Sequence, residues 1–142
     1  MSGRFTVYPE FTVEEAEHFF VPQKDVVGSY VLENPTTHEI TDFFSFFHIQ
    51  SSVTGNRKYS TFTATYCYYY FNNSLSLKDL FLNAVIAAKL EGGDVFNALE
   101  IMNNAQVFSD LKFARGDGAL HYYFYNWKLN TIKPSEMAVV LP

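Results

Sequence analysis

The sequence is poor in the features that mark secreted, membrane-spanning or nucleic-acid-binding chains. It holds one cysteine, Cys67, in 142 residues. That excludes an internal disulfide framework and any zinc site built on several cysteines, and it fits a reducing compartment. No apolar stretch approaches the ~20 residues that span a bilayer. The first ten residues carry Arg4 and Glu10 and no apolar run, so they do not read as a secretory signal, and a cytoplasmic location is expected. Basic residues are also scarce: 10 Lys+Arg against 15 Asp+Glu leave a net charge of −5, which disfavours nucleic acid as a partner. His18, His38, His48 and His121 lack metal-ligand spacing, so no metal site is expected, and they read as surface or satisfied core histidines. No glycine-rich loop opens a helix, so the usual amide cradle for a cofactor pyrophosphate is missing.

What the chain has in quantity is aromatic side chains: 15 Phe, 10 Tyr and 1 Trp. A chain of this length buries roughly two-thirds of its unfolded surface, enough for one domain with an aromatic core. Thr12-Val13-Glu14-Glu15 is a capping box, and the helix it starts, offering Ala16, Phe19 and Phe20 to the core, should stop at Pro22. Gly28–Glu33 and Glu39–Ile49 read as a hairpin around the turn Asn34-Pro35-Thr36-Thr37. Ser60–Phe71 reads as a long strand. Strict alternation puts Tyr66, Tyr68 and Tyr70 on one face and Cys67, Tyr69 and Phe71 on the other. Ser76 should cap a helix to about Glu91, with Leu77, Leu80, Phe81, Ala84 and Ala88 as its apolar stripe and Gly92-Gly93 as its end. Further strands are expected over Val95–Leu99, Ala119–Lys128 and Met137–Leu141, with a short helix over Asn104–Asp110. The order predicts an α+β fold with a mixed, mainly antiparallel sheet packed by helices.

Several segments carry a resemblance when taken together: Asp94-Val95-Phe96-Asn97-Ala98-Leu99, Leu111-Lys112-Phe113, Gly116-Asp117-Gly118, Tyr122-Tyr123-Phe124-Tyr125-Asn126-Trp127, and Thr41-Asp42-Phe43-Phe44-Ser45-Phe46 with Tyr66. In order and spacing the chain resembles the C-terminal region of eukaryotic glycylpeptide N-myristoyltransferases. The resemblance runs from about residue 4 to 142, and Met1-Ser2-Gly3 reads as a start scar ahead of it. It implies one acetyltransferase-like (GNAT-like) half of a two-half protein. The N-terminal half of such proteins binds myristoyl-CoA and supplies an oxyanion hole. The C-terminal half, the one present here, binds an acceptor peptide with an N-terminal glycine. On this reading the chain holds no cofactor itself, myristoyl-CoA is the co-substrate of the complete enzyme, and the missing N-terminal half is a partner.

The resemblance also assigns roles. The terminal carboxylate of Pro142 is the base that takes a proton from the glycine amine, and its Pro departs from the Leu or Gln usual in the family. An α-carboxylate, with a pKa of ~3.5, needs burial beside Val139, Val140 and Leu141 to become basic enough. Asn97 resembles the asparagine beside the amine; on the residues alone it reads as a strand-end Asn capping backbone. Asp117, flanked by Gly116 and Gly118, resembles an acidic loop that meets basic peptide residues, its glycines allowing positive φ and close approach. Ser51 and Tyr66 resemble peptide-groove residues, and Leu141 joins the substrate-facing set. Phe47-His48-Ile49-Gln50 departs from the family, where a Tyr, a hydroxyl residue, Leu and Pro are usual. Cys67, mid-strand among aromatics, reads as buried and inert. Two other functions are compatible with these residues: a catalytically inactive peptide-binding module, and a structural fragment whose cut sheet edge pairs with a second copy as an edge-paired dimer.

Overall fold

The computed structural model describes residues 3–55 and 58–141. The chain divides into two compact units, one from 10–99 with the residues after 139, the other from the N-terminal residues to Pro9 with 100–139.

The first unit holds the sheet. Helix α1 (Val13–Phe20) starts at Thr12, whose hydroxyl accepts from the Glu15 amide while the Glu15 carboxylate accepts from the Thr12 amide. These reciprocal bonds satisfy two of the donors that a helix N-terminus leaves open. Strands β1 (Val27–Glu33), β2 (Ile40–Ser52) and β3 (Thr61–Phe71) pair antiparallel in sequence order, and the short β4 (Val95–Asn97) pairs parallel to β3. The β1–β2 turn is held by Asn34, whose Oδ1 accepts from the amides of Thr36 and Thr37. Helix α2 (Leu77–Leu90) lays Leu80, Phe81, Ala84 and Ala88 on one face of the sheet, as the periodicity predicts. It ends at Gly92-Gly93. A side chain at Gly93 would put its Cβ 2.4 Å from Thr65 Oγ1, so only glycine lets the chain turn there against β3.

The expected alternation of β3 fails for a definite reason. Phe44 faces Tyr70 and Phe46 faces Cys67, so three steps along β3 answer two along β2. β3 therefore carries one extra residue, a β-bulge opposite Ser45. Tyr70 turns to the α2 face, stacked 5.7 Å from Phe44 and edge-on to Phe81 at 5.2 Å. Tyr68 and Tyr69, though successive, both reach the α1 face, 5.4 and 5.8 Å from Phe20. Four consecutive residues, Cys67 to Tyr70, are buried as a result. Each buried ring removes roughly 150–250 Å² from water, about 4–6 kcal/mol before the opposing chain entropy.

Asp42, fully buried at the start of β2, ties the sheet to the turn before α2. Its carboxylate accepts from the amides of Asn73, Ser74 and Leu75 and from the Ser74 hydroxyl. Burial would raise its pKa, but the Ser74 hydroxyl and the backbone donors outweigh that and hold it well below the usual carboxylate range.

The second unit is built around Ile101, Met102, Val107, Met137 and Ala138, all buried. It contains the one-turn helix α3 (Ala105–Phe108), shorter than the predicted Asn104–Asp110, and a 3₁₀ turn at Pro134–Glu136. Val7 and Met137 form a parallel bridge, extended by bonds from the Thr6 amide to Glu136 O and from the Ala138 amide to Val7 O. The strands expected over Ala119–Lys128 and Met137–Leu141 are not formed. Beyond that single bridge, neither segment has a ladder partner among the described residues. A strand is completed by a neighbour's N–H and C=O groups, and β-prone side chains alone do not supply them. Tyr123, Tyr125 and Trp127 stand exposed accordingly.

Candidate functional site

The site residues proposed from sequence fall in both units. In the sheet unit, Asn97 ends β4 and pairs in parallel register with Tyr66 of β3. Tyr66 stacks on Phe47, centroids 5.3 Å apart with 12° between planes. Ser51 lies four residues beyond Phe47 on β2, hence on the same face. Paired residues of neighbouring strands also share a face, so Ser51, Phe47, Tyr66 and Asn97 line one side of the sheet, the side on which Phe20 of α1 packs against Tyr68. Ser51, Tyr66 and Asn97 are each half-buried. A half-buried amide and phenol beside an aromatic wall can hold a polar backbone and seat a small apolar group.

The last residues return to this unit. The Val140 amide donates to the Tyr69 hydroxyl at 3.0 Å, both residues being buried. Leu141 is 58% exposed, so the apolar enclosure expected from it is not formed in this chain. Pro142 lies outside the described residues.

Gly116, Asp117 and Gly118 belong to the other unit, in an exposed loop after α3. Neither glycine adopts positive φ, and an added Cβ at either would meet nothing within 4 Å. The reason given for them from sequence is therefore not the one the loop uses. In the same unit the Tyr122 hydroxyl donates to Val139 O at 2.6 Å.

Two constellations were not legible beforehand. One is Tyr69, read from sequence as core. Its signal was the run Tyr68-Tyr69-Tyr70: three adjacent large aromatics in a strand covered on both faces invite a bulge. The other surrounds His48. Its Nδ1 is 2.8 Å from Thr65 Oγ1 and its Nε2 is 3.3 Å from Glu91 Oε2, while Tyr30 donates to Glu91 Oε1 at 2.5 Å. The Glu91 carboxylate, as acceptor, raises the Tyr30 pKa. This joins β1, β2, β3 and the end of α2 on the face away from Tyr66, with the Gly28 and Gly93 backbones packed against Glu91 and Thr65. His48 is thus a satisfied core histidine. Cys67 is buried, and burial pushes its thiol far above the reactive range. Asn72 and Ser74 hold the turn before α2, with Asn72 Nδ2 donating to Leu75 O and Ser74 bound to Asp42.

The family model described as "Myristoyl-CoA:protein N-myristoyltransferase, C-terminal domain" matches residues 1–140. The chain is 44% identical over 140 residues to glycylpeptide N-tetradecanoyltransferase 1 of Arabidopsis thaliana, covering 98% of this chain and 32% of that protein. It is 49% identical over 128 residues to a probable glycylpeptide N-tetradecanoyltransferase of Caenorhabditis elegans, covering 90% of this chain and 28% of the relative. The chain therefore spans about a third of the length of the curated relatives it matches. Among solved structures it aligns with Saccharomyces cerevisiae N-myristoyltransferase with bound myristoyl-CoA at a TM-score of 0.75 and 36% identity, over 81% of this chain and 32% of that one. The α+β, acetyltransferase-like architecture expected from the sequence is borne out. With that fold, and with the family model matching nearly its whole length, the chain belongs to the C-terminal domain family of the myristoyl-CoA:protein N-myristoyltransferases.

Proposed function

We propose that residues 4–142 act as the acceptor-peptide part of a cytoplasmic N-myristoyltransferase, an acyltransferase that moves a myristoyl group from myristoyl-CoA to the N-terminal glycine amine of a protein. The observation that carries this reading is the shared face of Ser51, Tyr66 and Asn97 in a chain of this family. The peptide's first residues lie along that face. Asn97 orients the amine, Tyr66 and Phe47 wall the groove, and Ser51 holds peptide backbone. Asp117, exposed between Gly116 and Gly118, attracts basic residues farther along the acceptor. Leu141 contacts substrate once the complete protein covers it.

A glycine amine has a pKa of ~8 and is largely protonated at neutral pH. The terminal carboxylate of Pro142 takes its proton. The freed amine attacks the thioester carbonyl, the N–C bond forms, the C–S bond breaks, and CoA leaves as the thiol. The acyl-CoA and the oxyanion donors belong to an N-terminal half, so this chain alone does not turn over; absent oxyanion donors cost ~10²-fold or more each. The exposed Tyr123, Tyr125 and Trp127 segment suits the surface that such a half covers.

The test mixes this chain with myristoyl-CoA and a Gly-initiated peptide, with and without the N-terminal two-thirds of the Arabidopsis relative. Acyl transfer only in the complete mixture is expected. Peptide binding with no transfer in either mixture would replace this reading with an inactive binding module, and no binding at all with a structural fragment or edge-paired dimer.

A further inference from the structure

Where Asn97 sits along the sheet depends on β4, the shortest strand and an outer one. It has three residues, and among the described residues its ladder partner is β3 alone. So short a parallel edge strand has few ladder bonds to fix its register. The side-chain pattern opposes one slip and permits another. Phe96 packs on the α2 face, its ring centroid 6.4 Å from that of Phe44 and 6.3 Å from that of Phe46. A slip of one residue would put the Asn97 amide among these rings and Phe96 on the opposite face. A slip of two keeps every side chain on its own face, yet carries Asn97 about 6.6 Å along β3, away from Tyr66. Asp94 opposes that second slip. Its amide donates to Thr63 O at 2.9 Å, and its carboxylate accepts from the Thr63 amide at 3.0 Å. One residue thus takes both backbone groups of Thr63, one step before the first ladder pair, Ala64 with Val95.

We infer that Asp94 is a positioning residue for Asn97: by gripping both backbone groups of Thr63 it sets how far β4 runs along β3, and so holds the Asn97 amide beside Tyr66. The inference rests on the reading of Asn97 as the residue that orients the glycine amine. The grip needs an acceptor oxygen at the Thr63 amide and no charge, so asparagine serves at this position where alanine fails.

Asp94→Ala and Asp94→Asn test this. In the isolated chain, the Thr63 amide of Asp94→Ala should exchange with solvent at least about tenfold faster while the Phe46 amide keeps its protection, and Asp94→Asn should stay within about threefold of wild type. Unchanged exchange at Thr63 in Asp94→Ala would overturn the clamp. The second measurement fuses the chain behind the N-terminal two-thirds of the Arabidopsis relative and combines Asp94→Ala with Asn97→Ala. Asp94→Ala should lower kcat about 10- to 100-fold when Asn97 is present and less than about threefold when it is alanine, with KM for myristoyl-CoA unchanged, as expected of a residue that acts through another. Asp94→Asn should restore most of the lost rate. An unaltered kcat, an equal loss in both backgrounds, or no recovery with asparagine sinks the positioning role. If Asn97→Ala by itself stays fully active, the reading of Asn97 is wrong, and the Thr63 exchange rate still decides the clamp. Should Asp94→Ala not fold, Asp94→Leu keeps the branched outline of aspartate without its acceptors and is measured in the same two ways.

Discussion

Two aromatic segments of this chain have similar composition and opposite fates. In Thr61–Phe71, Tyr68, Tyr69 and Tyr70 are each less than a tenth exposed. In the segment around Tyr122–Trp127, Tyr123 and Tyr125 are 87% and 90% exposed. The first has a ladder partner on each side, β2 and β4, and a helix over each face. The second has no ladder partner among the described residues. Apolar side chains are buried by neighbours, and strand-like composition only makes a segment ready for them. The contrast separates a region whose rings are covered by neighbouring strands and helices from one whose rings stand exposed.

The comparison breaks most severely if the sheet unit is hollowed. Phe46→Ala, at a fully buried ring, should cost about 3–5 kcal/mol in urea unfolding. A loss below ~1 kcal/mol would mean that the sheet core is not the stabilising centre. Next comes Asp42→Asn, which removes a buried charge-assisted acceptor of four donors and should cost about 2 kcal/mol at pH 7. The folded Asp42 carboxyl lies below its unfolded value of ~4. Its contribution is therefore present above pH ~4 and lost as pH falls toward the folded value, so the gap between wild type and variant should close on acidification. A gap independent of pH would point to packing, not charge.

Thr12→Ala removes half of the α1 capping box and should cost about 1 kcal/mol, read from the same unfolding midpoints. The smallest effect belongs to the other segment. Trp127→Ser should change the stability of this chain by no more than ~0.5 kcal/mol, because the ring is 78% exposed. The same substitution should weaken association with the N-terminal two-thirds of the Arabidopsis relative. Equal association by wild type and variant in a pull-down titration would remove Trp127 from that surface.

Much of the sheet unit could be read in advance because its signals are local. Thr12 with Glu15, Ser76 with its apolar stripe, the Asn34-Pro35 turn and Gly92-Gly93 each act within a few residues, and each lies where expected. Asn97, Tyr66 and Ser51 were legible only through the family, since an asparagine after a short strand has no local mark of function. The bulge was hidden because alternation is a rule about one strand, whereas a bulge is a mismatch between two. The His48, Glu91 and Tyr30 cluster was hidden likewise: its members come from β2, the end of α2 and β1, and only the sheet brings them within hydrogen-bonding distance.

The order of side chains along the chain was enough for the elements of the sheet unit, the limits of α1 and α2, the α+β class and the family, all of which rest on periodicity, caps and ordered motifs. Pairing in space was needed for the rest: which tyrosine faces which helix, that Tyr69 meets the Val140 amide, and that Asn97 lies beside Tyr66. Hydrogen bonds between strands and contacts between rings join residues tens of positions apart, 71 in the case of Tyr69 and Val140. No local preference encodes such pairings, and only the tertiary fold sets them.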